Sequence, residues 1–341
     1  MEIGIAYNLK DELSPETIID SESCEEFDTA ETVAAICNVL EKHGYETVKL
    51  GGDMKILDRL KEHRVDFVFN IAEGYKGRNR ESQIPSILEM LNIPYSGSDP
   101  LTLGLTLDKT LTKKIAFSAG VPYPRYKVAK DIKDILNADE YLRYPLITKP
   151  AWEGSSKGIY DSSKVYDRSE LEKSAGHLFE KYYDQPVLIE EYIEGREVTV
   201  GIIGNYPPRV MGMMEIVNKK RPGNDMFYSL ETKRDWEDLV DYISPPDIGR
   251  LVENNIKHYA LTAFKEFGCR DYARIDFKVS KDEKIFMLEI NPLPGLSPDY
   301  ADLVIMARKQ NIKYEDLILS LLNSALSRYD ITKDRIENEK I

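Results

Sequence analysis

Cysteine and histidine are scarce in this chain of 341 residues: three of the first and four of the second. Cys24, Cys37 and Cys269 are scattered and odd in number, which argues against a disulfide framework, and they lack metal-ligand spacing. Cys/His chemistry is thereby set aside. Basic clusters are missing as well. The net charge is −13 and no run of Lys and Arg is placed to track nucleic acid phosphates, so no nucleic acid partner is expected. No apolar run approaches a membrane span, and no membrane partner is expected. Met1-Glu2-Ile3-Gly4-Ile5 puts no basic region ahead of an apolar run, so no signal peptide is read and cytoplasm is the default. Internal repeats and low-complexity segments are absent too. What remains is a soluble composition on a chain too long for one small core, which implies two or three lobes. An acidic balance does not exclude a nucleotide, because a phosphate site needs only local cations.

In the first hundred residues, strands alternate with helices. Glu2–Tyr7, Thr47–Leu50 and Val65–Asn70 read as strands; Asp28–His43, Met54–His63 and Glu81–Leu91 read as helices, the first ending at Gly44. That alternation predicts a parallel, doubly wound sheet with ligands beyond the carboxyl ends of its strands. The loop after the third strand, Asn70 to Glu81, holds Glu73, Arg78 and Arg80 and is a candidate substrate loop. Pro222 to Pro246 reads as loop-rich and therefore as a lid or a binding loop, Ile248–Phe267, Pro298–Lys309 and Tyr314–Tyr329 as helices, and Asp330–Ile341 as a fraying charged tail.

Three stretches carry chemistry. Phe286-Met287-Leu288-Glu289-Ile290-Asn291 is a buried strand closed by the turn Pro292-Leu293-Pro294-Gly295. Glu289 and Asn291, two apart, share one face, and Ala273-Arg274-Ile275-Asp276-Phe277 reads as its hairpin partner, setting Asp276 opposite them with Arg274 on the same side. Two carboxylates and an amide oxygen suit a hard cation; taken alone, the hairpin reads equally well as a surface with solvated charges. Tyr144-Pro145-Leu146-Ile147-Thr148-Lys149 places a lysine on an apolar strand, where its ammonium needs an anion. Glu153-Gly154-Ser155-Ser156-Lys157-Gly158 follows directly, small enough for backbone N–H groups to close on phosphate, though it is not a Walker A loop. Val187–Glu190 and Glu197–Ile203 are strands joined by an acidic connector suited to a purine edge and a ribose.

The order of these elements resembles the ATP-grasp ligases and, within them, the D-alanine–D-alanine ligase family. The matching residues are Asn92-Ile93-Pro94-Tyr95-Ser96-Gly97-Ser98, Asp108-Lys109 with Thr112-Lys113, Lys149-Pro150 with Glu153-Gly154-Ser155-Ser156 and Gly158, and Glu190 with Gly195-Arg196-Glu197 and Thr199-Val200. Thr232-Lys233, Ala273-Arg274-Ile275-Asp276 and Leu288-Glu289-Ile290-Asn291 with Pro294-Gly295 complete the series. The resemblance spans nearly the whole chain. It implies an α/β and α+β architecture: an N-terminal doubly wound parallel-sheet domain (1–100), a central ATP-grasp subdomain (101–186) and a C-terminal one with the metal site (187–341). It implies ATP as cofactor, with Lys109, Lys149, Ser155, Ser156 and Lys233 at the phosphates, Glu190 and Ile193 at adenine and Glu197 at ribose. Asp276, Glu289 and Asn291 would hold two Mg²⁺ ions, or Mn²⁺ in their place. Arg274 and the Gly295 N–H would stabilise a tetrahedral oxyanion. The implied reaction is ADP-forming ligation of a small-molecule carboxylate to an amine through an acylphosphate, and a homodimer is compatible with it.

The substrate side departs from the family. The glutamate that grips the first substrate's ammonium there has two candidates here, Glu26 and Asp28. The family's His-Gly…Gly-Glu-Asp-Gly loop is replaced by Glu73-Gly74…Gly77-Arg78-Asn79-Arg80-Glu81, the tyrosine after the loop lysine by Arg234, and a Ser-His-Ser segment by Pro298-Asp299-Tyr300. Guanidinium groups favour carboxylates. Arg78, Arg80 and Arg234, with Tyr300 on the acceptor side, therefore lead to substrates other than two D-alanines, at least one bearing an extra anion. The alternatives are a D-alanine–D-alanine ligase with a divergent pocket, in which Arg78 and Arg80 merely pair with Glu73 and Glu81, and a nucleotide-binding module without catalysis.

Overall fold

A computed structural model describes residues 1–12, 22, 25–135, 137–219 and 227–331. The chain begins with three parallel strands, β1 (Glu2–Ala6), β2 (Glu46–Lys49) and β3 (Phe67–Asn70), in the order β2-β1-β3. Helices α1 (Ala30–Lys42), α2 (Ile56–Glu62) and α3 (Gln83–Met90) wind around them. Strand alternation divides the side chains between two cores. Ile3, Ile5, Phe67 and Phe69 pack with Val33, Ile36 and Leu40 of α1, whereas Ala6 and Val68 meet Leu50, Ile56, Ile84 and Leu88 on the other face. Both faces are covered, as a doubly wound sheet requires. The first of these cores also takes in Leu317, Ile318, Leu321 and Leu322 of the helix Tyr314–Arg328, so the far end of the chain returns to close the N-terminal sheet.

Helices α4 (Pro100–Leu107) and α5 (Lys109–Ser118) meet at Asp108, whose Oδ1 accepts the N–H groups of Thr110 and Leu111 at 2.8 and 3.0 Å and caps α5. An antiparallel sheet of β4 (Tyr126–Ala129), β5 (Leu146–Pro150), β6 (Lys164–Val165) and β7 (Val187–Glu191) follows, in the order β4-β7-β5-β6. One face packs Leu146, Val165, Val187 and Ile189 against Leu171 and Leu178 of α7 (Arg168–Lys181), beside the short α6 (Ile132–Ile135). Ile147, Lys149 and Glu190 take the alternate positions and face a cleft.

The far wall of that cleft is a second antiparallel sheet: β8 (Gly195–Ile203), β9 (Arg209–Asn218), β10 (Val240–Ile243), β11 (Tyr272–Ser280) and β12 (Ile285–Asn291), in the order β10-β9-β8-β11-β12. Val198, Val200, Ile202, Ile275 and Phe277 pack onto Ile256, Ala260 and Phe264 of the helix Arg250–Glu266, and Glu197, Arg274, Asp276 and Lys278 point into the cleft. The expected loop at Pro222–Pro246 needs correction. Residues 222–226 lie outside the described residues, but beyond them run α8 (Leu230–Arg234), α9 (Trp236–Leu239) and β10. Ser229 starts α8 by accepting the Thr232 N–H at 3.2 Å, and β10 alternates buried Val240 and Tyr242 with exposed Asp241 and Ile243. A four-residue edge strand is too short for its alternation to stand out from a Pro- and Gly-flanked stretch. The helix Arg250–Glu266 is α10, and α11 (Asp302–Lys309) and α12 (Tyr314–Arg328) complete the order. Most of the charged tail, from 332 onward, is outside the described residues.

Candidate active site

One pocket between the two antiparallel sheets, open toward the N-terminal domain, is lined by residues from all three regions. At one end lies a buried charge triad. The Glu190 carboxylate takes Lys149 Nζ at 2.8 Å on one oxygen and Lys113 Nζ at 2.5 Å on the other. Lys113 lies one helical turn beyond Lys109 on α5, with its ammonium 5.5 and 5.6 Å from the ring centres of Tyr123 and Tyr126. Burial alone would raise the Glu190 pKa, but the two ammonium groups outweigh it and bring it from 4.5 to about 2. Burial likewise pulls Lys113 down, only partly offset by Glu190, to about 8. Two cations on one anion leave the triad net positive, which suits an incoming phosphate.

The triad sets a pH dependence of stability. A carboxylate whose folded pKa is depressed stabilises fully above its unfolded pKa and loses that contribution as pH falls toward the folded one. The gap in thermal midpoint between wild type and Glu190→Gln is therefore full at pH 7 and closes progressively as pH falls from about 4.5 toward 2. Thermal unfolding across that range checks it; a gap unchanged by pH rejects the paired carboxylate.

Over the same end hangs the Gly/Ser loop. Ser155 and Ser156 adopt φ of 51° and 59°, two consecutive left-handed conformations that cost free energy without glycine. The Lys109 ammonium donates to the Glu153 carbonyl, and Lys233 Nζ reaches the Ser155 carbonyl at 3.5 Å. The start of α8 packs on this loop: the Leu230 N–H donates to Ile159 O at 2.8 Å and Ser229 Oγ to Asp161 at 2.6 Å. Glu197 lies at the cleft wall with Lys278 Nζ at 3.3 Å, and Ile193 lines the pocket from the connector.

The hairpin has the register expected. Asp276 pairs with Glu289 and Arg274 with Asn291 across β11 and β12, with a bulge just after Asp276. Asn291 Nδ2 lies 3.1 Å from Asp276 and 3.3 Å from Glu289, and Thr199 Oγ1 donates to Asp276 at 2.6 Å. Burial and the neighbouring Glu289 charge together push Asp276 up to about 6 against the pull of Arg274. Glu289 is held down, against burial, by Lys109 and Arg274. Among the described residues no group of three His, Cys, Asp or Glu is set for a metal; the donors here are two carboxylates and an amide. The two carboxylates are hard oxygen ligands whose mutual repulsion a divalent cation relieves, and the Asn291 amide, which turns its nitrogen to them here, carries a third oxygen, so the set fits Mg²⁺. Arg274 is gripped between Asp276 at 2.9 Å and Asp302 at 3.2 Å. Gly295 lines the pocket on the turn after β12.

On the substrate side each arginine already has an anion. Arg78 pairs with Asp108 at 2.7 Å and lies over the Trp152 ring, Arg234 pairs with Glu25 at 2.7 Å, and Arg80 pairs with Glu26 at 2.7 Å. Among the described residues, no ion pair joins any of them to Glu73 or Glu81. Lys157 joins Glu26 at 2.9 Å and Glu153 at 2.5 Å. Asp28, Glu73, Glu81 and Tyr300 line the pocket. Sequence reasoning left out Lys113, Lys157, Glu81 and Asp302 as site residues. The spacing of Lys109 and Lys113 on one helix face was a signal for the first; Asp302 carried none, since the helix was expected from Pro298 and begins at Asp302.

The D-ala D-ala ligase C-terminus family matches residues 116–323. The chain is 35% identical over 301 residues to the D-alanine–D-alanine ligase of Carboxydothermus hydrogenoformans, covering 84% of this chain and 90% of that protein. It is 34% identical over 316 residues to the same enzyme of Pelotomaculum thermopropionicum, covering 89% and 93%. The crystal structure of the Bacillus anthracis D-alanine–D-alanine ligase complexed with ATP superposes with a TM-score of 0.74 at 25% identity, covering all of both chains. No helix of the described residues is long and apolar enough to cross a membrane. Matched over most of its length to these ligases, the chain belongs to the D-alanine–D-alanine ligase family of ATP-dependent, ADP-forming carboxylate–amine ligases.

Proposed function

We propose that this protein is a D-alanine–D-alanine ligase acting in the cytoplasm, with residues 1–100, 101–186 and 187–341 as its three working parts. The observation that supports it most is the convergence of Lys109, Lys149 and Lys233, the Asp276/Glu289/Asn291 face, Arg274 and Gly295 on one pocket. In this reading Glu190 and Ile193 hold adenine and Glu197 the ribose. Lys109, Lys149 and Lys233, with the Ser155 and Ser156 loop, neutralise and orient the phosphates. A carboxylate oxygen of the first amino acid attacks the γ-phosphorus, the bond to the β-phosphate oxygen breaks, and ADP leaves. The second amino acid's deprotonated amine attacks the acylphosphate carbon. Arg274 and the Gly295 N–H stabilise the oxyanion, and inorganic phosphate departs as the amide forms. Mg²⁺ held by Asp276, Glu289 and Asn291 would supply further charge neutralisation at the phosphates.

ADP release with D-alanine and MgATP, together with a product mass matching D-alanyl-D-alanine, is the expected result. A second reading, a ligase of other amino acids, is favoured by the Pro298-Asp299-Tyr300 stretch and by Asp302 held against Arg274. ADP release with other amino acids and none with D-alanine would establish it and reject the first.

A further inference from the structure

Arg274 is held at both ends of its planar fork, and the two holds differ in kind. Asp276 grips one edge, taking Nε on Oδ1 at 3.1 Å and Nη2 on Oδ2 at 2.9 Å. Those oxygens also belong to the hard-cation face, so this edge is shared. Asp302 holds the other end, with Oδ2 3.2 Å from Nη1, and Glu289 stands further off at 3.7 Å from Nη2. A fork fixed along one edge can still pivot about it; fixed at both ends it cannot. A guanidinium has five N–H groups. The two aspartates take one each on Nε, Nη2 and Nη1, and the other two remain for an oxygen in the pocket.

The sheet is built to seat Asp302 there. Asp302 opens α11, whose next residues, Leu303 to Ala307, are all buried. Gly201 of β8 is the cross-strand partner of Arg274, and Gly212 of β9 is the partner of Gly201, so the three form one row on one face. A Cβ at Gly201 would come within 2.8 Å of Leu303 Cδ1 and 3.0 Å of Met306 Sδ. One at Gly212 would come within 3.0 Å of Met306 Cγ and 3.1 Å of Gln310 Cγ. The two absent side chains are therefore the space that α11 fills, and its first residue comes down beside Arg274. The stretch leading into α11 is tied as well: Tyr314 Oη donates to Leu296 O at 3.0 Å and Arg308 Nη2 to Pro298 O at 2.6 Å. Gly295, the second oxyanion donor of the ligase reading, stands at the head of that same stretch. Burial, then the Asp302 charge, holds the Tyr228 and Tyr242 hydroxyls above their ordinary range, so neutral O–H groups and no rival anions face Asp302 from those two residues.

We propose that Asp302, seated by the Gly201–Gly212 pair, is the positioning residue that orients the Arg274 guanidinium toward the tetrahedral oxyanion. It acts through Arg274 and not on a reacting atom, and it does so whichever amino acids are joined. The assignment rests on the ligase reading, and the test separates the two.

The test compares Asp302→Asn, Gly201→Val, Arg274→Lys and the double variant Asp302→Asn/Arg274→Lys with wild type, by steady-state ADP release and by thermal unfolding without ligand. Asp302→Asn lowers kcat by about 10- to 100-fold, the scale of a misplaced catalytic group, and leaves KM for ATP within about twofold. Once Arg274 is lysine there is no fork left to orient, and adding Asp302→Asn changes kcat by less than about twofold. Gly201→Val suits a strand but crowds Leu303 and Met306, and it gives the same split between kcat and KM for ATP. The rates are read with D-alanine. If wild type ignores D-alanine, the proposed function fails, and they are read with whichever member of a panel of D- and L-amino acids it turns over; turnover of none overturns both readings. Wild-type kcat in Asp302→Asn overturns the positioning role, and a lowered midpoint beside it makes Asp302 a structural ion pair only. An equal loss from Asp302→Asn with and without Arg274→Lys overturns it too. Wild-type kcat in a folded Gly201→Val overturns the seat, and if that variant does not fold, the Asp302 variants decide.

Discussion

Glu289→Ala lowers the rate of ADP release at least ~10²-fold, the scale of one strong electrostatic contact to a reacting phosphoryl group, with the fold intact. The side chain sits on the cleft face of β12, paired across the sheet with Asp276, and Lys109 and Arg274 keep it ionised. The backbone pairing of β12 with β11 does not depend on it. Neither does the packing of Met287 and Ile290 into the core behind the sheet. Removing it takes a like charge away from Asp276 but also a counter-charge from Lys109 and Arg274, so the thermal midpoint falls only slightly. Lost turnover with retained stability marks a group that acts on substrate or metal. Glu289→Gln keeps the size and one oxygen ligand but not the charge, and falls between the two. Raised Mg²⁺ in the assay recovers part of its rate if the residue is a metal ligand. Turnover of Glu289→Ala within a few-fold of wild type rejects the assignment.

That residue was legible because its signal is local. Two-residue spacing on a strand determines which side chains share a face, so Glu289 beside Asn291 followed from the sequence; the bulge after Asp276, which moves its partner from Leu288 to Glu289, did not. Lys149 was legible for the same reason: an ammonium amid apolar strand residues needs an anion, and the anion turned out to be Glu190 on the neighbouring strand. The partners of the arginines were not legible. Arg80 finds Glu26 across 54 positions and Arg234 finds Glu25 across 209, and no periodicity links such pairs. Read without partners, three guanidinium groups in substrate loops suggested an anionic substrate. Read with them, the cations are neutralised. The return of α12 to the N-terminal sheet was hidden likewise, since an amphipathic helix shows that it has a buried face but not which surface covers it.

A buried hub far from the chemistry carries the second large effect. Asp271→Ala destabilises the protein by about 3–5 kcal/mol, the range for breaking a buried ion pair from one side. Asp271 is fully buried and precedes β11. One carboxylate oxygen accepts the Gly97 N–H at 2.8 Å and Arg328 Nη2 at 2.8 Å, and the other accepts Arg328 Nε at 3.0 Å and Asn205 Nδ2 at 3.0 Å. Those donors come from the end of the N-terminal domain, from α12 and from the turn after β8, so one side chain ties three regions together. Arg328 extends the tie to the Tyr95 carbonyl at 2.9 Å. Without Asp271 the mostly buried guanidinium keeps its carbonyl contacts but loses its counterion, and the Gly97 N–H loses its acceptor. The loss is read as a thermal midpoint lower by on the order of 10 °C. Asp271→Asn keeps the shape and tolerates the φ of 66° at this position, so it costs less. Adding Arg328→Met to Asp271→Ala costs less than the sum of the two single changes, because the stranded charge is gone. A midpoint for Asp271→Ala within 2 °C of wild type, or strict additivity of the pair, shows that the three regions are held by their apolar contacts alone.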